Sequence, residues 1–284
     1  MTALADERAT RGPQPRALIV TLYGLYGRQD AGWLSVSTII RLMAEVGVDE
    51  PAVRSSISRL KRRGILEAER VDGLAGYALS DNAREILAEG DHRIFERRRA
   101  AADEGWVLAV FSVPEHEREK RHQLRSRLSW LGFGTVTAGV WIAPAHLEPE
   151  ARDVLLRAGL DSYVELFGAT YRSFGDVRER VPQWWDLDRL QQLYAEFLEV
   201  HGPVLAASGR RRRIDGAEAF RNYVLALTDW RRLPYSDPGL ARELLPSGWL
   251  GVRAADTFFA LRARLAGRAD AFAETVRAGE RARA

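Results

Sequence analysis

Residues 50–66 read EPAVRSSISRLKRRGIL. The stretch holds two sets of side chains with opposed solvent preferences. Val53, Ile57 and Leu60 are apolar; Arg54, Arg59, Lys61, Arg62 and Arg63 are cationic. At about 100° per residue of an α-helix, the three apolar residues fall within about 60° of one another. Ser55, Ser58, Arg59 and Arg62 fall about 140–240° away from Val53 on the same wheel. Arg54, Lys61 and Arg63 flank that outer set. Asp49 is a good N-cap, Pro51 is tolerated in the first turn, and Gly64 stands where the helix should stop.

An ordinary solvated helix mixes both signs of charge, often four residues apart. This one has no acid after Glu50. Small hydroxyl side chains let a helix approach a DNA groove closely, and arginine can fork onto guanine or bind phosphate. The face therefore predicts a DNA-reading element, with Arg54, Ser55, Ser58, Arg59, Lys61, Arg62 and Arg63 as its contact residues. A basic surface helix with no ligand is the alternative.

The flanking sequence bears on that choice. Upstream, STIIRLMAEVG places Ile39, Leu42, Met43 and Val46 on one helical face, with Ser37 as the expected N-cap and Gly47 at the C-terminus. Before it, ALIVTLYGLY (17–26) reads as a buried first helix. Downstream, ILEAERVDGLAGYAL offers strands near 65–71 and 75–79 around the turn pair Asp72-Gly73. Ser80 or Asp81 can cap a further helix carrying Ile86, Leu87, Ile94 and Phe95. Two helices joined by a short turn and followed by a hairpin predict a winged helix-turn-helix.

The middle of the chain alternates. Trp106 to Val113 is a buried-strand run, and Pro114 and Glu115 open a charged helix ending near Leu131. Strands are expected at 133–137 and 140–143, a helix from Pro149 to about Ala158, and a last strand at 163–167. The order β-α-β-β-α-β predicts a ferredoxin-like domain. Beyond Trp184 the pattern is helical, with Phe220, Tyr223 and Phe258 expected in a core. The whole is α+β and multidomain: a loose tail at 1–15, the winged helix at 16–100, the ferredoxin-like domain at 101–182 and an α-helical domain at 183–284.

The chain has 284 residues, 46% hydrophobic and 29% charged, a globular composition. It contains no cysteine, which excludes disulfides and thiolate metal sites and fits a cytoplasmic location. No stretch reaches the roughly 20 apolar residues of a membrane span, and the first residues do not read as a signal peptide. Net charge is only +3, so basicity is local rather than global.

These stretches resemble the PaaX family, repressors of phenylacetate-catabolic operons. The resemblance rests on AVRSSISRLKRRGIL with YALSDNARE, on RIFER, on WLGFGTVTAGVWIAP and on LLPSGWLG, which together span nearly the whole chain. It implies the same three domains, the central one resembling CRISPR-associated ribonucleases. It further implies a homodimer on imperfectly palindromic double-stranded operator DNA, released by an aryl-CoA or other acyl-CoA thioester. No other cofactor and no metal is implied. For such an effector Trp130 and Trp141 are candidate aromatic walls, and Arg210, Arg211, Arg212 and Arg213 are candidate phosphate contacts. The arginine loop could instead bind nothing or touch DNA. The effector site is expected between the central and C-terminal domains, since ligand sites favour domain junctions.

The competing reading is a metal-dependent nuclease fused to a DNA-binding domain. Such chemistry needs carboxylates gathered around Mg²⁺. The first central strand ends FSVPEHE, where Glu115 and Glu117 are the nearest acids and no aspartate is present. The five histidines show no zinc-site spacing, and no nucleophile elbow or phosphate-binding loop is present. No catalytic residue is assigned, and no enzyme activity is expected.

Overall fold

Many of the secondary-structure elements begin or end where the chain supplies a cap, a proline or a glycine. In the computed structural model, residues 14–28, 32–96, 98–172, 174–210 and 213–281 are described. The expected loose N-terminal tail lies outside them, Gln14 and Pro15 excepted. The protein is mixed α/β with two antiparallel sheets and many helices. Among the described residues it divides into two compact units: 14–95 with 196–231 and 252–281, and 96–195 with 232–251.

The first unit opens with α1 (Pro15–Leu22), whose proline sits in the first turn. The expected helix to Tyr26 changes character at Tyr23, where a π-helical turn runs to Gly27. A Cβ on Gly27 would lie 2.6 Å from the Tyr23 ring, so the wide turn needs glycine there. Next comes β1 (Trp33–Ser35), too short to carry a strand signal of its own. It fixes the start of α2 (Val36–Glu45). Ser35, not Ser37, is the N-cap, because the strand holds Ser35 extended and its hydroxyl accepts the Thr38 N–H at 3.0 Å. Gly47 follows with φ +80°, a conformation that suits only glycine well.

Then come α3 (Glu50–Arg62), β2 (Leu66–Val71), β3 (Leu74–Leu79) and α4 (Asp81–Phe95). The hairpin turn has positive φ at both Asp72 (51°) and Gly73 (79°), the type I′ geometry that matches strand twist. The three strands pair in the order β1-β3-β2. Gly76 on β3 lies opposite Ser35, and a Cβ there would sit 2.4 Å from the Trp33 indole, so the ring occupies the space of a missing side chain. Ser80 caps α4 by accepting the Ala83 N–H and ties the hairpin back to α3 by donating to the Gly64 carbonyl at 2.7 Å.

The core of this unit is not confined to the N-terminal part of the sequence. Residues of α9 (Gly216–Trp230) and α11 (Gly251–Arg281) join it, along with the later part of α8 (Leu187–Arg210). Phe220, Tyr223, Val224, Leu261 and Leu265 share one apolar cluster with Leu18, Leu22, Ile39, Val53 and Ile57. Polar pins accompany the packing. Thr228 Oγ1 donates to Thr21 Oγ1 at 2.8 Å, and the Trp230 indole donates to the Ile94 carbonyl at 2.9 Å. Phe220, Tyr223 and Phe258 are buried as expected, and Phe258 stacks on Trp230 at 4.9 Å.

The second unit holds β4 (Trp106–Phe111), α5 (Arg118–Trp130), β5 (Gly134–Thr137), β6 (Val140–Pro144), α6 (Glu148–Arg157) and β7 (Val164–Ala169). A short 3₁₀ turn over Glu115–Glu117 precedes α5, because Pro114 is extended and the chain must tighten before the helix begins. The strand order is β5-β6-β4-β7, antiparallel throughout. Val107, Ala109 and Phe111 on one face of β4 pack with Leu124, Leu128 and Leu155 of the two helices. Trp106 and Ile142, on the other face, pack with Val181 and Trp185. Gly134 admits this: a Cβ there would lie 2.7 Å from the Trp185 ring, and that indole donates to the Gly132 carbonyl at 2.9 Å. The segment around α7 (Val177–Trp184) and α10 (Leu233–Ser236) completes the unit. Asp237 anchors it as a buried carboxylate that accepts from Tyr194 (2.6 Å), Arg99 (3.1 Å) and the Gly239 N–H (2.9 Å).

Candidate nucleic-acid interface

α3 is held rigidly at both ends. The Asp49 carboxylate accepts the Ala52 N–H at 2.8 Å, leaving the first turn capped. At the other end Gly64 takes φ +66°, and the Ile65 and Gly64 N–H groups return to the Leu60 and Lys61 carbonyls. Val53, Ile57 and Leu60 are all no more than 5% exposed, so the apolar stripe is spent entirely on the core. Ser56 joins them at 7% exposed. It was not singled out in the sequence, though its place on the wheel beside Val53 is the signal that could have found it.

All seven residues picked from the sequence stand on the exposed side: Arg54, Ser55, Ser58, Arg59, Lys61, Arg62 and Arg63. Two have local partners. Arg54 pairs with Glu50, four residues earlier, at 2.7 Å. Both are exposed, so the pair contributes little and is readily exchanged for another anion. The Lys61 ammonium lies 5.6 Å from the centre of the Tyr77 ring on β3. Arg59, Arg62 and Arg63 pair with no acid among the described residues, which leaves three guanidiniums with unspent donors in water. The neighbouring hairpin is mixed in sign, exposing Glu67 and Glu69 beside Arg70. The positive charge thus belongs to the helix rather than to the region.

The residues suggested as effector contacts are distributed differently. Trp141 is a core side chain, 6% exposed, in the cluster beneath α5 and α6, and its indole N–H has no hydrogen-bond partner among the described residues. Trp130 is half-buried against the same cluster and stacks on Tyr235 at 4.8 Å. Arg213 is exposed and belongs to the other unit. Arg211, Arg212 and the Arg210 side chain lie outside the described residues.

The acids near the end of β4 are engaged locally. Glu115 accepts from Arg121 at 3.0 Å, and Glu117 accepts the Tyr163 hydroxyl at 2.8 Å, a bond that raises the Tyr163 pKa. Among the described residues no three His, Asp or Glu side chains gather as metal ligands would. His201 is buried against Asp229 at 3.0 Å, a local hydrogen bond. No helix among the described residues is long and apolar enough to cross a membrane.

Three family models match in succession: PaaX-like protein over residues 14–83, the PaaX protein central Cas2-like domain over 99–181 and the PaaX-like protein C-terminal domain over 185–275. The chain belongs to the PaaX family. Transcriptional repressor PaaX of Escherichia coli (strain K12) is 25% identical over 260 residues, covering 90% of this chain and 82% of that protein. Among solved structures, the uncharacterized protein Rv0674 from Mycobacterium tuberculosis is similar with a TM-score of 0.59 and 25% identity. That match covers 90% of this chain and 98% of the other. The family matches thus extend over both units, the arginine face of α3 included.

Proposed function

We propose that this PaaX-family chain is a DNA-binding transcriptional regulator, a repressor that reads an operator through α3. The observation that carries the reading is the outward face of that helix: hydroxyls among guanidiniums, with no acid after Glu50, on a rod whose apolar side is docked. The relative in Escherichia coli is named a transcriptional repressor, which fits. In this reading α2, α3 and the β2–β3 hairpin form a winged helix-turn-helix. The β4–β7 sheet with α5 and α6 forms a ferredoxin-like domain, which its strand order supports. The protein works in the cytoplasm as a homodimer, with two copies of α3 about 34 Å apart, one DNA turn, or a multiple of it.

Release of the operator requires a ligand that binds the DNA-incompetent state better than the competent one. We assign that role to an acyl-CoA, with an aryl group as the first candidate. Thermal-shift measurements with phenylacetyl-CoA, acetyl-CoA and free CoA test the assignment; no stabilisation by any of them removes it. The central test is on α3. Arg59→Ala combined with Arg62→Ala removes two fork donors worth about 1–3 kcal/mol each in base discrimination. Gel shifts on the native upstream region should lose the specific complex while the melting temperature stays unchanged. Retained affinity and retained sequence preference would refute the assignment. A Mg²⁺-dependent cut in the same DNA or in RNA would favour the nuclease instead.

A further inference from the structure

A second concentration of positive charge lies on α5, REKRHQLRSRLSW, in the other unit. This helix carries five arginines and lysines against one acid, Glu119, whereas the whole chain has a net charge of only +3. Its apolar side is already spent, since Leu124 and Leu128 are fully buried against the sheet. The neighbouring α6 shows what an ordinary solvated helix looks like here: it alternates signs, and Glu148 pairs with Arg152 at 3.2 Å. On α5 only Arg121 is committed, donating to the Val113 carbonyl (2.7 Å) and to Glu115 (3.0 Å). Arg118, Arg125 and Arg127 are exposed and pair with no acid among the described residues.

The arrangement is linear. Arg118, His122, Arg125 and Ser129 recur at helical spacing and lie within about 60° of one another on the wheel. They form an exposed stripe about 16 Å long. Two guanidiniums in line with an imidazole and a hydroxyl suit a polymer of regularly spaced anions better than a single small anion. The one exposed ring of the stripe is the His122 imidazole, too little aromatic surface for a run of unpaired bases to stack on, which disfavours single strands. It offers no apolar anchor of the kind a protein partner would need. What remains is the phosphate backbone of a duplex.

We propose that α5 is a second DNA contact, independent of base sequence, that engages the phosphates of a duplex. The inference rests on the DNA-binding reading above and adds a division of labour: α3 supplies discrimination, α5 supplies affinity and salt sensitivity. Each phosphate contact contributes about 0.9 to the slope of log affinity against log salt.

The test uses the full chain with Arg118→Gln and Arg125→Gln together. Fluorescence anisotropy is measured on the operator duplex and on an unrelated duplex across a salt series. The slope should fall by about 1.8 per bound protomer, so raising salt from about 50 to about 200 mM should penalise the variant about twelvefold less than the unaltered protein. The ratio of operator to unrelated affinity should not change, and Arg118→Lys with Arg125→Lys should restore the slope. Unchanged slopes in a variant that still binds overturn this inference and leave the α3 reading standing. A changed ratio overturns it too, because it would assign base reading to α5. Weakened binding to single-stranded RNA with an unaltered duplex slope would make RNA the partner and likewise overturn it. If the unaltered protein binds no duplex at all, both readings fall.

Discussion

Residues 14–96, expressed without the rest of the chain, should not form a stable domain, although they contain every element of the region proposed to read DNA. Seven large side chains from the distant C-terminal part are buried in the same cluster as α1 to α3: Ile214, Phe220, Tyr223, Val224, Leu261, Leu265 and Val276. At about 1.5–3 kcal/mol for each buried side chain, they represent about 10–20 kcal/mol of gross burial. Assigning even half of that to contact with the N-terminal elements gives about 5–10 kcal/mol, as much as the entire stability of a typical domain of about 5–15 kcal/mol. The fragment would also expose Leu18, Ile19 and Leu22 of α1 to water and leave the Thr21 hydroxyl without Thr228. Circular dichroism melts and urea titrations of the fragment and the full chain provide the assay. In the full chain, Phe220→Ala should cost about 3–5 kcal/mol. It should also lower amide protection in α1, although the two are far apart in sequence. A fragment that melts cooperatively within a few degrees of the full chain would refute the shared-core argument. So would a Phe220→Ala variant of unaltered stability.

Two further outcomes concern buried polar groups. Asp237→Ala should destabilise the second unit by about 3–5 kcal/mol, because the Arg99 guanidinium and the Tyr194 hydroxyl would lose a buried acceptor; urea unfolding followed by tryptophan fluorescence measures it. Tyr23 and Tyr26 have their pKa values raised, chiefly by burial, then by Tyr77 for the first and by Asp270 and Tyr223 for the second. A raised folded-state pKa means the neutral phenol is favoured in the fold. That stabilisation is therefore intact below the usual value of about 10 and is lost as pH climbs above it. Stability should fall in that alkaline range, and the phenolate absorbance of these two rings should appear only as the protein unfolds. A smooth titration of every tyrosine in the folded protein would contradict their burial.

Much of α3 is legible in the order of its amino acids. Its cap at Asp49, its stop at Gly64 and the partition of Val53, Ile57 and Leu60 from Ser55, Arg59 and Arg62 all depend on neighbours within one or two turns. The same holds for the type I′ turn at Asp72-Gly73 and for the order of strands and helices between Trp106 and Ala169. Local spacing decides such features, because backbone hydrogen bonds in helices and tight turns join residues a few positions apart.

Other features depend on partners remote in the chain. The three-residue strand Trp33–Ser35 exists because β3 offers it an edge, and it moves the cap of α2 from Ser37 to Ser35. The π-helical turn at Tyr23–Gly27 is held where the Tyr23 hydroxyl donates to the Tyr77 carbonyl at 2.8 Å. An apolar stripe announces that it will be buried but not against what. The stripe of Phe220 and Tyr223 promises a helical core in the last third of the chain, and folding places it against Leu18 and Leu22 instead. Periodicity encodes the direction a side chain points relative to its own helix. The surface it meets is chosen by shape and volume complementarity between segments some two hundred residues apart, and no window along the sequence contains both.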